Sequence, residues 1–199
     1  QRMYALFAVL GIVTAVGSMI SMALCPLLIK KLNERNAYIL LSVYGFAASI
    51  FSFVIGHFWF QSPKNMVLTV LFYASLFLIG LQFGAVTLMP MIMTADAVDY
   101  YEYETGKRME GACYSILTLT IKVCLALGTA VGLIFVQKSG YYESLTAGTF
   151  TTKTKDIIFF AYTALPGILA LISIFPMFKY DIVGEKKAKI SSELAARRK

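Results

Sequence analysis

Charge is scarce in this chain. Asp, Glu, Lys and Arg make up 15% of its 199 residues, against about a quarter in a soluble domain. That shortage excludes a solvated globular domain. Histidine occurs once, at His57, and the three cysteines, Cys25, Cys113 and Cys124, have neither paired nor C-x-x-C spacing. A zinc-ligand set and a disulfide framework are therefore not expected, and the cysteines read as small packing residues. No Ser/His, paired-Asp or zinc-ligand constellation falls inside the apolar stretches. The sequence thus predicts no enzyme, no cofactor and no metal in these residues. It opens on Gln1, with no basic segment before a short apolar core, so no signal peptide is expected and the chain reads as a piece of something longer.

What is abundant is apolar residues, at 58% with a mean hydropathy of +0.71. They come in blocks near or above the ~20 residues a helix needs to cross hydrocarbon. Five such stretches run over Met3–Ile29, Ala37–Phe60, Met66–Ala95, Ala112–Val136 and Ile157–Phe178. Backbone groups in lipid must pair internally, and the period-2 alternation of a barrel strand is absent. The fold class expected is an all-α, multi-spanning membrane bundle over 1–180, followed by a basic tail over 181–199. His57 and Trp59 sit at one helix end, where aromatic residues meet the interface.

Charge also orients the chain. Lys30–Arg35, Lys107–Arg108 and the tail from Lys179 hold twelve of the eighteen Lys and Arg. The positive-inside rule puts them in the cytoplasm, with the C-terminus inside and residue 1 entering from outside. That distribution speaks for a bilayer rather than nucleic acid as the partner, and the tail could also rest on anionic headgroups.

Several local features follow. Pro26 and the basic run after it mark the inner end of the first span. Pro63 marks an outer turn. The third span, about 30 residues, reaches ~45 Å at 1.5 Å per residue, so it tilts or continues into the cytoplasm. Pro90 is expected to kink it. Gly80/Gly84 and Gly128/Gly132 are small-xxx-small pairs suited to close helix packing. Gln137–Asp156, rich in Gly and Thr, reads as irregular, and the tail as charged, partly helical and unpacked.

One residue breaks the apolar pattern. Lys122 lies in the otherwise uncharged run Tyr114–Val136. A lysine at the centre of a membrane helix costs roughly 2.5–3.5 kcal/mol on insertion scales and marks a functional path by default. Starting from Gly111 it lies about 16 Å along the helix, near the midplane and too deep to snorkel easily. Ser115, Thr118 and Thr129 share its face. No span holds an acid away from its ends, so the partner is expected outside these residues; the alternative is a structural lysine bonded to backbone or water. The segment Ala95–Gly111 holds five of the eleven acids. Asp96, Asp99, Glu102, Glu104 and Glu110, beside Lys107 and Arg108, suit weak ion pairs that close a cavity and break when it opens. A plain solvated loop is the other reading.

These strings have a family likeness. Ala95-D-x-V-D-Y-x-E-Y-x-x-G-x-R-x-E-G, then Tyr114–Ser115, Lys122 and Gly140–Tyr141, resembles the glycoside–pentoside–hexuronide:cation symporters. That is the melibiose-carrier branch of the major facilitator superfamily, and the likeness covers essentially the whole chain. It implies that the spans are helices eight to twelve of twelve. It also implies sugar uptake coupled to Na⁺, Li⁺ or H⁺ by alternating access between two six-helix bundles. Lys122 matches the family's membrane-embedded lysine, and Asp96, Asp99, Arg108 and Glu110 its cytoplasmic gate. Thr87 stands where the melibiose carrier has a tryptophan, so stacking on sugar is not supplied there. The family's cation-site carboxylates lie in the N-terminal bundle, which these residues do not include.

The reading reached is part of a secondary active transporter in the cell membrane, carrying a sugar or glycoside. Lys122, Thr118, Ser115, Thr87 and Gln82 are its expected cavity residues. A same-fold carrier of an amphipathic solute and a non-transporting scaffold or sensor remain as alternatives.

Overall fold

The computed structural model describes residues 2–62 and 64–197, with side chains from Gly11 onward; Pro63 and the last two tail residues lie outside the described residues. Every regular element described is an α-helix.

Helix α1, Arg2–Gln61, holds both the first and the second expected span. It breaks at Asn33, whose φ of 63° and ψ of 162° lie outside helical space. Asn enters positive φ more readily than most residues because its short polar side chain can bond locally. The break gives arms 2–32 and 34–61, and their contacts with α2, Met66–Thr105, show how they run. Thr14 lies against Gly80 and Ser18 against Gly84, while Cys25 packs in one cluster with Met89. The first arm is therefore parallel to α2. Along the second arm Ala37 joins that same cluster, Ser49 reaches Gln82, and Ser52 meets Ser75. The second arm is antiparallel.

Close approach explains the glycines here. A Cβ on Gly17 would stand 2.6 Å from the Phe77 carbonyl oxygen, and one on Gly80 or Gly84 would strike the carbonyl of Thr14 or Ser18. The Gly80/Gly84 pair thus lets two backbones touch, as its spacing predicts. A Cβ on Gly128 or Gly132 would meet nothing within 4 Å; among the described residues that second pair packs against nothing.

Asn65 starts α2 by accepting from the Val67 and Leu68 amides at 3.0 and 3.5 Å. The helix runs through Pro90 and continues ten residues past Ala95, roughly 15 Å. Gly106 ends it in the left-handed conformation, φ 71°, its N–H donating to the Glu102 carbonyl at 2.9 Å.

The fourth expected span is α3, Glu110–Lys138, and none of its residues is buried. It is tied near its ends. At one end Arg108, just before it, joins α2. At the other, Phe135 meets the ring of Phe160 at 6.2 Å, and Thr154 Oγ1 donates to the Ser139 carbonyl at 2.9 Å. The fifth span is three consecutive helices, α5 Thr152–Tyr162, α6 Ala164–Ile172 and α7 Ile174–Met177. In α6, Gly167 lies against Ser49, and Tyr38 donates to Ser173 at 2.8 Å just beyond it. Among the described residues four helical runs are long and apolar enough to cross a membrane, and the bent α1 covers two of the five expected spans.

Around the α1–α2 turn the helix ends are joined by rings and by a hydrogen bond to a carboxylate. Trp59 stacks on Phe72 at 4.5 Å and donates to Thr69 at 3.0 Å. His57 Nδ1 meets Asp156 Oδ2 at 2.9 Å, and Gln61 Nε2 lies 2.8 Å from His57 Nε2.

Two expectations are corrected. Gln137–Asp156 is not irregular throughout: it folds into α4, Tyr141–Ala147, and the first turn of α5. Its Ser and Thr hydroxyls bond locally, Thr151 accepting from the Thr154 amide at 3.2 Å. The tail is not unpacked either. It forms α8, Gly184–Arg197, which buries Ile190 and Leu194 one turn apart on one face.

Candidate functional site

Lys122 stands twelve residues into α3, about 18 Å from its first residue. With Gly111, Tyr114, Ser115, Thr118 and Leu119 it lines an open depression of about 420 Å³. Thr118 and Thr129 donate to the Tyr114 and Leu125 carbonyls, both at 2.8 Å. Their protons are spent within the helix, so the hydroxyl oxygens face outward as acceptors. That suits a ligand rich in O–H donors, while the lysine supplies positive charge. The wall comes from α3 alone. Gln82 is buried between α2 and the second arm of α1, with Ser49 donating to its Oε1 at 3.4 Å. Thr87 is exposed on α2 and donates to the Phe83 carbonyl at 2.8 Å. The structure brings Ser115, Thr118 and Lys122 together and places Gln82 and Thr87 elsewhere.

The expected cytoplasmic cluster separates into two. Arg108 gathers Asp99 at 3.4 Å, Glu102 at 2.9 Å and Glu110 at 3.1 Å, clamping the end of α2 to the start of α3. Hydrogen bonds to Glu102 and Glu110 raise the guanidinium's pKa further. Asp96 belongs to another group. It is buried, and its carboxylate faces Lys187 of α8 at 2.7 Å and the Tyr180 hydroxyl at 3.2 Å. Lys187 also reaches Glu34, beside the α1 bend, at 2.6 Å. One ammonium thus joins two buried carboxylates from α1 and α2. Burial works against that charge, but hydrogen bonds and attraction from Asp96 and Glu34 prevail, so the Lys187 pKa is raised. The Tyr180 hydroxyl is pushed well up by burial and then by the Asp96 charge.

Glu34, Tyr180 and Lys187 are absent from the residues expected from sequence. One signal was available: Glu34 is the lone acid within the basic run Lys30–Arg35. Among the described residues no group of His, Cys, Asp and Glu is placed to hold a metal ion.

Helical runs of membrane-crossing length, one of them with a cationic polar stripe and no buried residue, are those of a multi-pass membrane protein. The chain belongs to the family described as MFS/sugar transport protein, whose model matches residues 2–184. It is 25% identical to the glucuronide carrier protein homolog of Escherichia coli (strain K12), over 98% of this chain and 40% of that protein. It is also 25% identical to the putative sulfoquinovose importer of that organism, over 91% of this chain and 36% of the relative. To the lactose permease of Lactobacillus delbrueckii subsp. bulgaricus it is 28% identical, over 88% and 27%. The chain therefore spans less than half the length of each of these relatives. No solved structure matches significantly.

Proposed function

We propose that this chain forms part of a cation-coupled symporter for a sugar or glycoside, working by alternating access in the cell membrane. The observation that carries the proposal is the surface of α3, where Lys122 and the hydroxyl residues Ser115 and Thr118 line one face of a mostly apolar helix with no buried residue. Such a face suits an aqueous cavity shared with a second bundle, and a lysine there needs an anionic partner. The names of the relatives, a glucuronide carrier protein homolog, a putative sulfoquinovose importer and a lactose permease, agree with that use.

In this proposal Lys122 pairs with a carboxylate, or an anionic group of the solute, from outside these residues. Ser115 and Thr118 bond sugar hydroxyls, each of which needs a partner when buried. Thr87 and Gln82 act from α2 only if that helix shifts toward the cavity. The coupling cation, Na⁺, Li⁺ or H⁺, binds in the other bundle. Asp99, Arg108 and Glu110 hold the inner end of α3, Asp96 holds α8, and these contacts loosen when the inner side opens. The C-terminus faces the cytoplasm.

The test is accumulation of labelled sugar by cells expressing the intact protein. Lys122→Met is expected to abolish coupled uptake while membrane insertion stays normal. Full accumulation by Lys122→Met would refute the role given to this face.

A further inference from the structure

A second concavity has a different character. It holds about 390 Å³ between the two arms of α1 and α2. Ser21, Leu24, Leu28, Leu41 and Leu81 line it, and Lys31 stands at one end. From Ser21 to Lys31 is ten residues, roughly 15 Å along the helix. That equals half of a ~30 Å hydrocarbon core, or one leaflet. An apolar lining gives no preference by itself, because bilayer hydrocarbon is equally apolar. The charge at the mouth supplies it. Among the described residues Lys30, Lys31 and Arg35 make no ion pair. The neighbouring acid, Glu34, is engaged by Lys187 at 2.6 Å and does not neutralise them.

We propose that this groove seats one acyl chain of an anionic phospholipid of the inner leaflet, with the phosphate held by Lys31. The lysine's carbon stem follows the apolar wall while its ammonium stays at headgroup level. The occupant is a resident lipid, bound away from the Lys122 face. The inference rests on the cytoplasmic placement of the Lys31 end given above, and not on the sugar reading.

Native mass spectrometry of the intact protein, released from nanodiscs of equal phosphatidylglycerol and phosphatidylethanolamine, tests it. The wild-type protein is expected to retain phosphatidylglycerol selectively. Lys31→Gln should lower that selectivity about fivefold, the worth of one basic contact at a charged membrane surface. Lys31→Arg should keep it. Leu24→Trp, at an exposed wall position, should fill the groove and lose both lipids alike. Absence of a phosphatidylglycerol preference in the wild type, or a preference that neither Lys31→Gln nor Leu24→Trp alters, overturns the proposal. So does movement of labelled phosphatidylglycerol across the bilayer, which would make the groove a transport route. Labelling of Lys30→Cys by an impermeant thiol reagent from outside would refute the orientation, whereas loss of sugar uptake in Lys122→Met leaves the lipid site untouched.

Discussion

Lys187 carries more structural consequence than its place in a basic tail suggests. Glu34 and Asp96 are both buried, and each faces the same ammonium. Removing that partner leaves two carboxylates close together in low dielectric. Breaking a buried pair costs about 3–5 kcal/mol, and the partial exposure of Lys187 lowers this to roughly 1–2 kcal/mol. Lys187→Met should therefore lower the thermal midpoint of the detergent-solubilised protein, and adding Glu34→Gln with Asp96→Asn should recover most of the loss. A triple variant no more stable than Lys187→Met would show that the charges do not hold α8. The pH dependence has a definite sign. The Lys187 pKa is raised above its ordinary 10.5, so its stabilisation is complete below that value and lost as pH rises through the raised one. A spin label at Ser191 on the exposed side of α8 should keep constant mobility from about pH 7 to about pH 10 and loosen above it. Lys122 was legible in the sequence because a charge inside an apolar run stands out. The Glu34–Lys187 contact was not, since its partners lie 153 residues apart and each passes for a topology signal.

At the level of elements, the spans were legible and their terminations less so. Apolar run length marks the long helices, four of which are long and apolar enough to cross a membrane among the described residues, and a bend at Asn33 divides the first. The tail was misread because Ile190 and Leu194 are two apolar residues in a charged stretch, and their burial depends on α2 lying beneath. The paired glycines were legible as packing motifs, but nothing in their spacing tells which pair is used. The structure distinguishes them through the carbonyls of Thr14 and Ser18. Gly84→Leu should force α1 from α2 at about 1–3 kcal/mol, the usual range for overpacking. A thermal midpoint equal to wild type would contradict the close approach.

At the scale of the whole molecule, α3 is the long helix that buries none of its described residues. The candidate site was legible in part: Ser115, Thr118 and Lys122 share a stripe that helical spacing alone defines. Gln82 faces away from that stripe: its depth in α2 matches a cavity position, while its rotation about that helix turns it toward Ser49 and Gly45. Spacing within one helix does not fix which neighbour that face meets. The proposed orientation has a direct check. In intact cells, cysteines replacing Lys138 and Lys153 should react with an impermeant reagent, and cysteines replacing Lys30 and Ser192 only after permeabilisation. The reverse pattern would invert the topology.

The two attachments of α3 differ in kind. Its C-terminal end is held by a buried hydroxyl bond at Thr154 and by ring contact, its N-terminal end by exposed ion pairs around Arg108. Electrolyte therefore acts on one end only. The screening length is about 8 Å at physiological ionic strength and ~3 Å at 1 M, so concentrated salt should speed amide exchange around Gly106–Gly111 and leave Ser139–Ser144 unchanged. In mechanical terms α3 is a rod with a fixed pivot and a releasable end, and a small swing about the pivot displaces Lys122 by more than half of what the free end travels.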